Sequence, residues 1–321
     1  MALVVALTGC QTGAPKEPTA KEERAPGARP SAITLATDPD MLAALLRQAG
    51  PMISSGGVVL MNGAGQDVVP GQDFKNLSTG DFARKLAEAG GLKYANAKGY
   101  VFLYPDGYER LASDSYPLAE RYAGITASAM FGQGTTLYNA LAILSQSLGL
   151  TLVADNIVAQ IPIGEMVIRD APLPVIVEAL LRSARATTDA VRVESNDDFI
   201  FLHAATNATP TENLLNASVL SPTDNATLDT RVSFVLPESA KSSNAAVFVK
   251  SAIPLSDVCG SLTKQMNVSV AAEPALADLP VNYTVVNNLR LRDAVNLLIR
   301  QWPVAKFGFE YQAGRVLLRA R

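Results

Sequence analysis

The chemistry available to this sequence is limited by its reactive side chains. The one histidine, His203, lies near the end of the apolar run FIFLHA, so a Ser-His-Asp triad or a multi-histidine metal site lacks its parts. Asp197 and Asp198 are adjacent in a run of turn-forming residues, where aspartate favours local hydrogen bonding over acid–base catalysis. We therefore predict that the protein is not an enzyme and binds neither a metal nor a cofactor.

A pair of glycines in the segment FGQGTT is the one candidate for a phosphate-binding loop. Gly132 and Gly134 are not followed by Gly-Lys-Ser/Thr, and no third glycine stands at the dinucleotide-binding spacing. A turn between a strand and a helix explains both glycines, and Thr135 or Thr136 is then the predicted N-cap.

The N-terminus carries an addressing signal. Residues 1–8 are almost wholly apolar and lead into Leu7-Thr8-Gly9-Cys10, after which Gln, Pro, Lys and Glu predominate. This arrangement resembles the bacterial lipobox, in which the cysteine is acylated after cleavage, although no Lys or Arg precedes the apolar run. The resemblance implies lipidation at Cys10. Because Gln11 stands where Asp would signal inner-membrane retention, it also implies an anchor on the periplasmic face of the outer membrane.

The second cysteine is predicted to be structural. With Cys10 assigned to lipid, Cys259 has no partner for an intrachain disulfide. It lies between Leu255 and Leu262 at helical spacing, which favours a small buried apolar residue over a nucleophile.

Composition limits the classes of partner. The chain has 321 residues, of which 48% are hydrophobic, enough for two or three domains. A net charge of −3 and an aromatic content of 6% argue against nucleic-acid binding. Residues 1–10 form the predicted signal, and residues 11–32, rich in Pro, Ala, Lys and Glu, form a predicted disordered tether.

Three segments beyond the tether share one pattern of apolar residues. The middle segment, residues 125–204, contains two amphipathic helices between short strands, and Leu137, Leu141 and Leu144 form the stripe of its first helix. Gly149 suits the C-cap of that helix. Residues 246–321 repeat this order, with a first strand predicted in VFVKSAIP, and residues 33–104 form a more divergent copy that begins with the strand ITLAT.

The segment between the last two copies, residues 205–245, is rich in Asn, Thr, Ser and Pro and is predicted to be a polar linker. Within it, RVSFVL could be an added strand.

The stretches MVIRDAPLPVIVEAL and NVSVAAEPALADLPVNYTVVNNLRLRDAVNLLI resemble the short N-terminal domain of secretins and TonB-dependent receptors. This resemblance covers about two thirds of the chain. It implies an α+β fold of tandem small βαββαβ modules, each with two helices packed on small mixed sheets.

In that family such modules form rings or dock a partner. The resemblance therefore implies a periplasmic ring-forming or adaptor component of an outer-membrane secretion or type IV pilus machine. Its partners would be a secretin, other envelope-machine proteins or further copies of itself. The alternative is a signalling relay that binds an inner-membrane regulator of the anti-sigma type.

Overall fold

The computed structural model describes residues 41–65, 74, 77–207, 220–236, 253–266, 268–302, 307–312 and 314–320. Among these residues, no helix has the length and apolar character that crossing a bilayer requires. The predicted signal, Cys10, the tether and the predicted strand ITLAT lie outside the described residues.

The fold is α+β, with several small mixed sheets flanked by helices. The first module, residues 41–104, contains α1 (Met41–Ala49), a 3₁₀ turn (Gly50–Met52), β1 (Gly56–Leu60), α2 (Thr79–Ala89), β2 (Lys93–Ala97) and β3 (Tyr100–Tyr104). A connector carries α3 (Glu109–Ser113).

The middle module, residues 120–204, begins with a 3₁₀ turn (Glu120–Gly124). It continues with β4 (Thr126–Phe131), α4 (Leu137–Leu148), β5 (Leu152–Ala154), α5 (Asn156–Ala159), β6 (Met166–Pro172), α6 (Leu173–Ser183), β7 (Val191–Ser195) and β8 (Ile200–Ala204).

The last module, residues 221–320, begins with α7 (Pro222–Leu228). It continues with β9 (Arg231–Leu236), β10 (Ile253–Pro254), α8 (Leu255–Met266), β11 (Ser269–Ala272), a 3₁₀ turn (Pro274–Leu276), β12 (Pro280–Val281), β13 (Thr284–Arg290), α9 (Leu291–Ile299), β14 (Phe307–Gln312) and β15 (Arg315–Ala320).

The middle and last modules have the same topology. In the middle module β4 pairs antiparallel with β6, while β8 lies between a parallel β5 and an antiparallel β7. In the last module β9 pairs with β13, and β15 lies between β11 and β14, with the same orientations. An offset of 118 residues takes both ends of α4 to both ends of α8, and both ends of β6 to both ends of β13.

The middle and last modules contain a β-bulge with the same backbone geometry. Asp170 in β6 and Asn288 in β13 both have φ of 49°, a left-handed conformation that Asp and Asn tolerate better than most residues. The Asp170 N–H donates to Ser128 Oγ at 3.0 Å, and the Asn288 N–H donates to Ser233 Oγ at 2.8 Å. In each module, the serine hydroxyl on the neighbouring strand therefore accepts a hydrogen bond from the N–H group that the bulge takes out of the β-ladder.

RVSFVL, the possible added strand within the predicted linker, forms β9. Of the predicted first strand VFVKSAIP, only Ile253–Pro254 is described, and it pairs with β12. The strand that pairs with β13 is β9, which lies in the predicted linker and buries Phe234 and Leu236. Leu228 of α7 is also fully buried. The helix α7 was not predicted, because its apolar residues are few and lie in a polar run.

The described residues form two large apolar cores and a small third cluster of Ala142, Tyr283 and Val285. One is continuous from α1 to β8 and joins the first and middle modules. The other fills the last module and includes Val153, Phe199 and Phe201 from the middle module. The described residues at each junction between modules are therefore packed with apolar side chains.

The middle and first modules also share a five-stranded sheet in the order β2-β3-β1-β6-β4. Here β1 pairs antiparallel with β6, from Gly56 opposite Arg169 to Val59 opposite Met166. A Cβ atom at Gly57 would lie 2.6 Å from the carbonyl oxygen of Val167. Only glycine allows the two strands to approach this closely.

We expect Gly57→Ala to lower the free energy of unfolding by about 1–3 kcal/mol, the range for overpacking a buried contact. The matched control is Gly80→Ala in α2, where a Cβ would meet nothing within 4 Å. Urea denaturation measures both variants. An unchanged midpoint for Gly57→Ala would show that the β1–β6 pairing tolerates a side chain.

Candidate interaction surfaces

An ion pair between a partly exposed arginine and a buried glutamate holds α1 against the middle module. The side chain of Glu165 is 1% exposed, and Arg47 contacts its carboxylate through Nε at 3.1 Å and Nη2 at 2.7 Å. The N–H of Gln133 donates to the same carboxylate at 2.9 Å. The two-pronged arginine contact compensates for the removal of the Glu165 charge from water.

A buried arginine forms the second contact of this junction. Arg182, near the end of α6, donates to the Tyr100 hydroxyl at 2.9 Å and to the Asp114 carbonyl at 2.8 Å. Its guanidinium also lies 5.8 Å from the centre of the Tyr100 ring. The hydroxyl of Tyr100 in turn donates to Glu178, which forms an ion pair with Arg182. Burial raises the pKa of Tyr100, so the phenol keeps its proton as donor.

The junction between the middle and last modules uses an arginine at the same position. Arg300 lies 118 residues after Arg182, forms an ion pair with Glu194 of β7, and lies 4.4 Å from the centre of the Phe201 ring. Both arginines thus extend from the second helix of one module to an aromatic ring on the closing hairpin of the module before it.

One backbone hydrogen bond also recurs at the two junctions. The N–H of Asn62, two residues after β1, donates to the Ser183 carbonyl at 2.8 Å. The N–H of Asn156, two residues after β5, donates to the Gln301 carbonyl at 2.7 Å. The acceptors are again 118 residues apart. The two junctions therefore place successive modules together through the same surfaces.

The second junction replaces strand pairing with side-chain hydrogen bonds. Thr151 stands five residues before Asn156, as Gly57 stands five before Asn62, and β5 and β13 lie in separate sheets. The N–H of Asn287 donates to Thr151 Oγ1 at 2.9 Å, and its side-chain amide donates to the Leu150 carbonyl at 2.7 Å.

The residues that the sequence singled out do not gather into a catalytic site. His203 is half-buried on β8, with Nδ1 3.0 Å from the Ala204 carbonyl and its ring stacked on Phe201. Asp198 forms an ion pair with Arg231 at 2.7 Å, so the predicted turn contributes to the contact with the last module. In the part of the chain that the structure describes, no three His, Cys, Asp or Glu residues are grouped as metal ligands.

The predicted structural roles fit the observed surroundings. Cys259 is buried in α8, as expected, and burial raises the pKa of its thiol to about 11, which makes it a poor nucleophile. Gly134 has φ of 81° in the turn before α4. Thr136 is the N-cap of α4, but its side chain makes no capping hydrogen bond, whereas Thr135 donates to the Gly132 carbonyl at 2.7 Å.

Two sheet edges differ in their availability to a partner. At β9, the Gln265 amide accepts from the Val235 N–H and donates to the Val235 carbonyl, both at 3.3 Å, so the side chain substitutes for a neighbouring strand. At the end of the five-stranded sheet, β2 is largely exposed and Tyr94 is 45% exposed. Of these two, β2 offers backbone groups for strand addition.

The β2–β3 hairpin determines which groups of β2 face outward. Its turn has two residues, Lys98 and Gly99, and Gly99 has φ of 91°. In such a hairpin the residues flanking the turn, Ala97 and Tyr100, form a hydrogen-bonded pair, so the N–H groups of Tyr94 and Asn96 point away from β3.

Comparisons with known proteins add no relationship. No family model matches the chain, and neither the curated proteins nor the solved structures contain a match.

We predict that acid weakens the second junction. The hydrogen bond that Arg300 donates lowers the pKa of Glu194. The stabilisation from this pair is therefore present above the pKa of about 4.3 that Glu194 has in the unfolded chain, and is lost as the pH falls through its pKa in the folded protein. The melting temperature of the wild type should therefore fall more steeply between about pH 5 and pH 3 than that of Glu194→Gln.

Glu88→Gln, an exposed change on α2, is the control and should follow the wild-type curve. Parallel curves for the wild type and Glu194→Gln would show that the Glu194–Arg300 pair contributes nothing to this pH dependence.

Proposed function

We propose that this protein is a non-enzymatic, lipid-anchored periplasmic protein. It acts as a ring-forming or adaptor component of an outer-membrane secretion or pilus machine of the secretin type. The observation that carries the proposal is the repetition of one module topology and one set of junction contacts: the helix arginines Arg182 and Arg300, and the N–H groups of Asn62 and Asn156. Such an array presents ordered surfaces to other proteins.

Three features support this proposal. The resemblance to the secretin N-terminal domain lies on β6, α6, β13 and α9, which occupy corresponding positions in the two modules. The lipobox ending at Cys10 would tie the array to a membrane. The polar side chains at the junctions bind other parts of the chain, and they thereby fix the relative placement of the surfaces that a partner would contact.

The exposed edge of β2 is the proposed point of contact with a partner. An extended segment added there would pair with the outward groups of Tyr94 and Asn96. Lys93, on the same strand, is held in ion pairs with Asp106 and Glu109, which raise the pKa of its ammonium group. A fixed charge on an edge strand disfavours unspecific pairing and leaves a selected partner to match it.

The contact is tested by affinity purification from solubilised envelopes with Asn96→Pro, which removes one outward N–H without breaking the β2–β3 ladder. We expect recovery of a secretin or another outer-membrane channel to fall about fivefold relative to wild type, the factor that corresponds to about 1 kcal/mol for one hydrogen bond.

Asn96→Ala, which keeps the N–H, is the control and should recover the channel as the wild type does. Equal recovery with Asn96→Pro would exclude the β2 edge as the contact. Recovery of an inner-membrane regulator alone would contradict the assembly role.

The anchor is tested separately by Cys10→Ser. We expect the variant to move from the membrane fraction to the soluble fraction, because acylation at that cysteine supplies the membrane affinity. Cys259→Ser, the matched cysteine change in the buried interior, should stay with the membrane. A Cys10→Ser protein that remains membrane-bound would remove the basis for lipidation.

A further inference from the structure

One strand of each module has an edge that is treated differently in the three modules. The strands β1, β5 and β11 each run parallel to the last strand of their own module, which is β3, β8 or β15. On its other side, β1 accepts β6 as an antiparallel neighbour. In contrast, β5 and β11 lie at the edges of their sheets. The same edge therefore binds a strand in the first module and binds none in the other two.

A serine hydroxyl occupies the edge of β5. The N–H of Asp155 donates to the Leu202 carbonyl on β8, and successive residues of a strand turn their backbone groups to opposite sides, so the backbone of Leu152 points away from β8. The N–H of Leu152 donates to Ser145 Oγ at 2.9 Å, and the same hydroxyl donates to the Leu152 carbonyl at 3.2 Å. The Ser145 side chain therefore binds both groups that an added strand would use.

A threonine hydroxyl occupies the edge of β11 in the same way. By the same alternation, the backbone of Val270 points away from β15. Its N–H donates to Thr263 Oγ1 at 2.9 Å, and Thr263 Oγ1 lies 3.3 Å from its carbonyl oxygen. Thr263 and Val270 stand 118 residues after Ser145 and Leu152, which is the offset that takes α4 to α8. The contact is therefore a repeated feature of the first helix of these two modules.

The first module shows the edge without such a hydroxyl. Its helix α1 contains neither serine nor threonine. Val58 of β1 lies opposite Val167 of β6, and the N–H of Leu60 donates to the Glu165 carbonyl at 2.9 Å. The outward backbone groups of β1 are thus paired with a strand, where those of β5 and β11 are paired with a side chain of the helix.

We propose that the hydroxyls of Ser145 and Thr263 close the edges of β5 and β11 to strand addition. The edge of β11 most needs this protection, because its sequence, Ser-Val-Ala-Ala, has neither the charge nor the proline that commonly guards an edge strand. Without the hydroxyl, this edge fits an antiparallel strand, and the occupant is β11 of a second copy. In a two-fold pair centred on Ala271, the outward groups of Val270 meet those of Ala272.

Edge closure also bears on where a partner binds. Gln265, on the same helix as Thr263, binds the edge of β9. The helix α8 therefore closes the edges of two sheets in the last module. Where the proposed function holds, on which this one consequence rests, a partner strand is left to bind at the open edge of β2.

Amide hydrogen exchange tests whether the hydroxyl protects the edge. Thr263→Val replaces the hydroxyl with a methyl group of similar size, and the Val270 N–H should then exchange about fivefold faster in dilute full-length protein, because it loses its acceptor. Thr263→Ser keeps the hydroxyl and should exchange as the wild type does. Because Thr263 Oγ1 also lies 2.9 Å from the Cys259 carbonyl, a second control is Thr227→Val in α7. It removes a hydroxyl that bonds the Thr223 carbonyl of its own helix, and it should leave the Val270 exchange unchanged.

Sedimentation velocity over a concentration series tests whether the opened edge binds a second copy. The parent is the full chain with Cys10→Ser, which lacks the predicted site of lipid attachment. Thr263→Val in this parent should form larger species whose fraction rises with concentration, and Thr263→Ser should sediment as the parent does. Adding Ala272→Pro to Thr263→Val removes the other outward N–H of β11 and should restore the sedimentation of the parent.

Two results would overturn the proposal. Unchanged exchange of Val270 in Thr263→Val would show that the hydroxyl does not protect the edge, and faster exchange without larger species would show that the opened edge does not bind a strand. Thr263→Ala, which lacks the hydroxyl and adds no bulk, should repeat both results if valine disturbs the fold. Neither measurement depends on the recovery of a channel with the Asn96 variants, so this proposal and the proposed function fail separately.

Discussion

Backbone pairing between β1 and β6 is the constraint on which the first two modules depend. These strands belong to different modules, yet they form the centre of one five-stranded sheet, so neither module can move without breaking main-chain hydrogen bonds. The pairing is possible because Gly57 has no side chain. The pair of Arg47 with Glu165 and the contacts of Arg182 link the same two modules as this ladder.

The second junction shows what happens when that constraint is relaxed. With Thr151 at the corresponding position, β5 stays outside the sheet of β9 and β13, and the hydroxyl of Thr151 binds Asn287 instead. The Arg300 stack on Phe201 and the bond from Asn156 to Gln301 keep the relative placement of the modules nonetheless. The shared contacts therefore keep the same orientation at both junctions, although the sheet continues only across the first.

Much of the helical part of the fold could be predicted from local pattern, because an amphipathic helix carries its own signal. The apolar repeat placed α4, α6, α8 and α9, and Cys259 is buried as its spacing indicated. The pattern marked β9 as a possible added strand but missed α7, because the apolar residues of α7 are few and lie in a polar run. The pairing of β1 with β6 joins residues more than 100 positions apart, and no local pattern encodes such a partner.

The junction arginines could be predicted by comparing the repeated segments with each other. Arg182 and Arg300 occupy the same place in two aligned helices, and a side-by-side comparison of the copies would have marked them as shared polar positions. Their partners Tyr100, Glu194 and Phe201 would still have been unknown, because these lie in the preceding module. The arginines were thus visible in the sequence as a repeat, while their role as links required the structure.

The backbone hydrogen bonds at the junctions have only a partial counterpart in the last module. Asn156 follows Asp155, whose N–H donates to the Leu202 carbonyl on β8 of the same module. In the last module, the N–H of Glu273 donates in the same way to the Leu318 carbonyl on β15. The residue after Glu273 is Pro274, which has no N–H to offer a further module. The Glu273 side chain is itself engaged, since it accepts from the Ala320 N–H. Pro274 therefore cannot donate the hydrogen bond that Asn62 and Asn156 donate at the two junctions, so the last module lacks this donor on the corresponding surface.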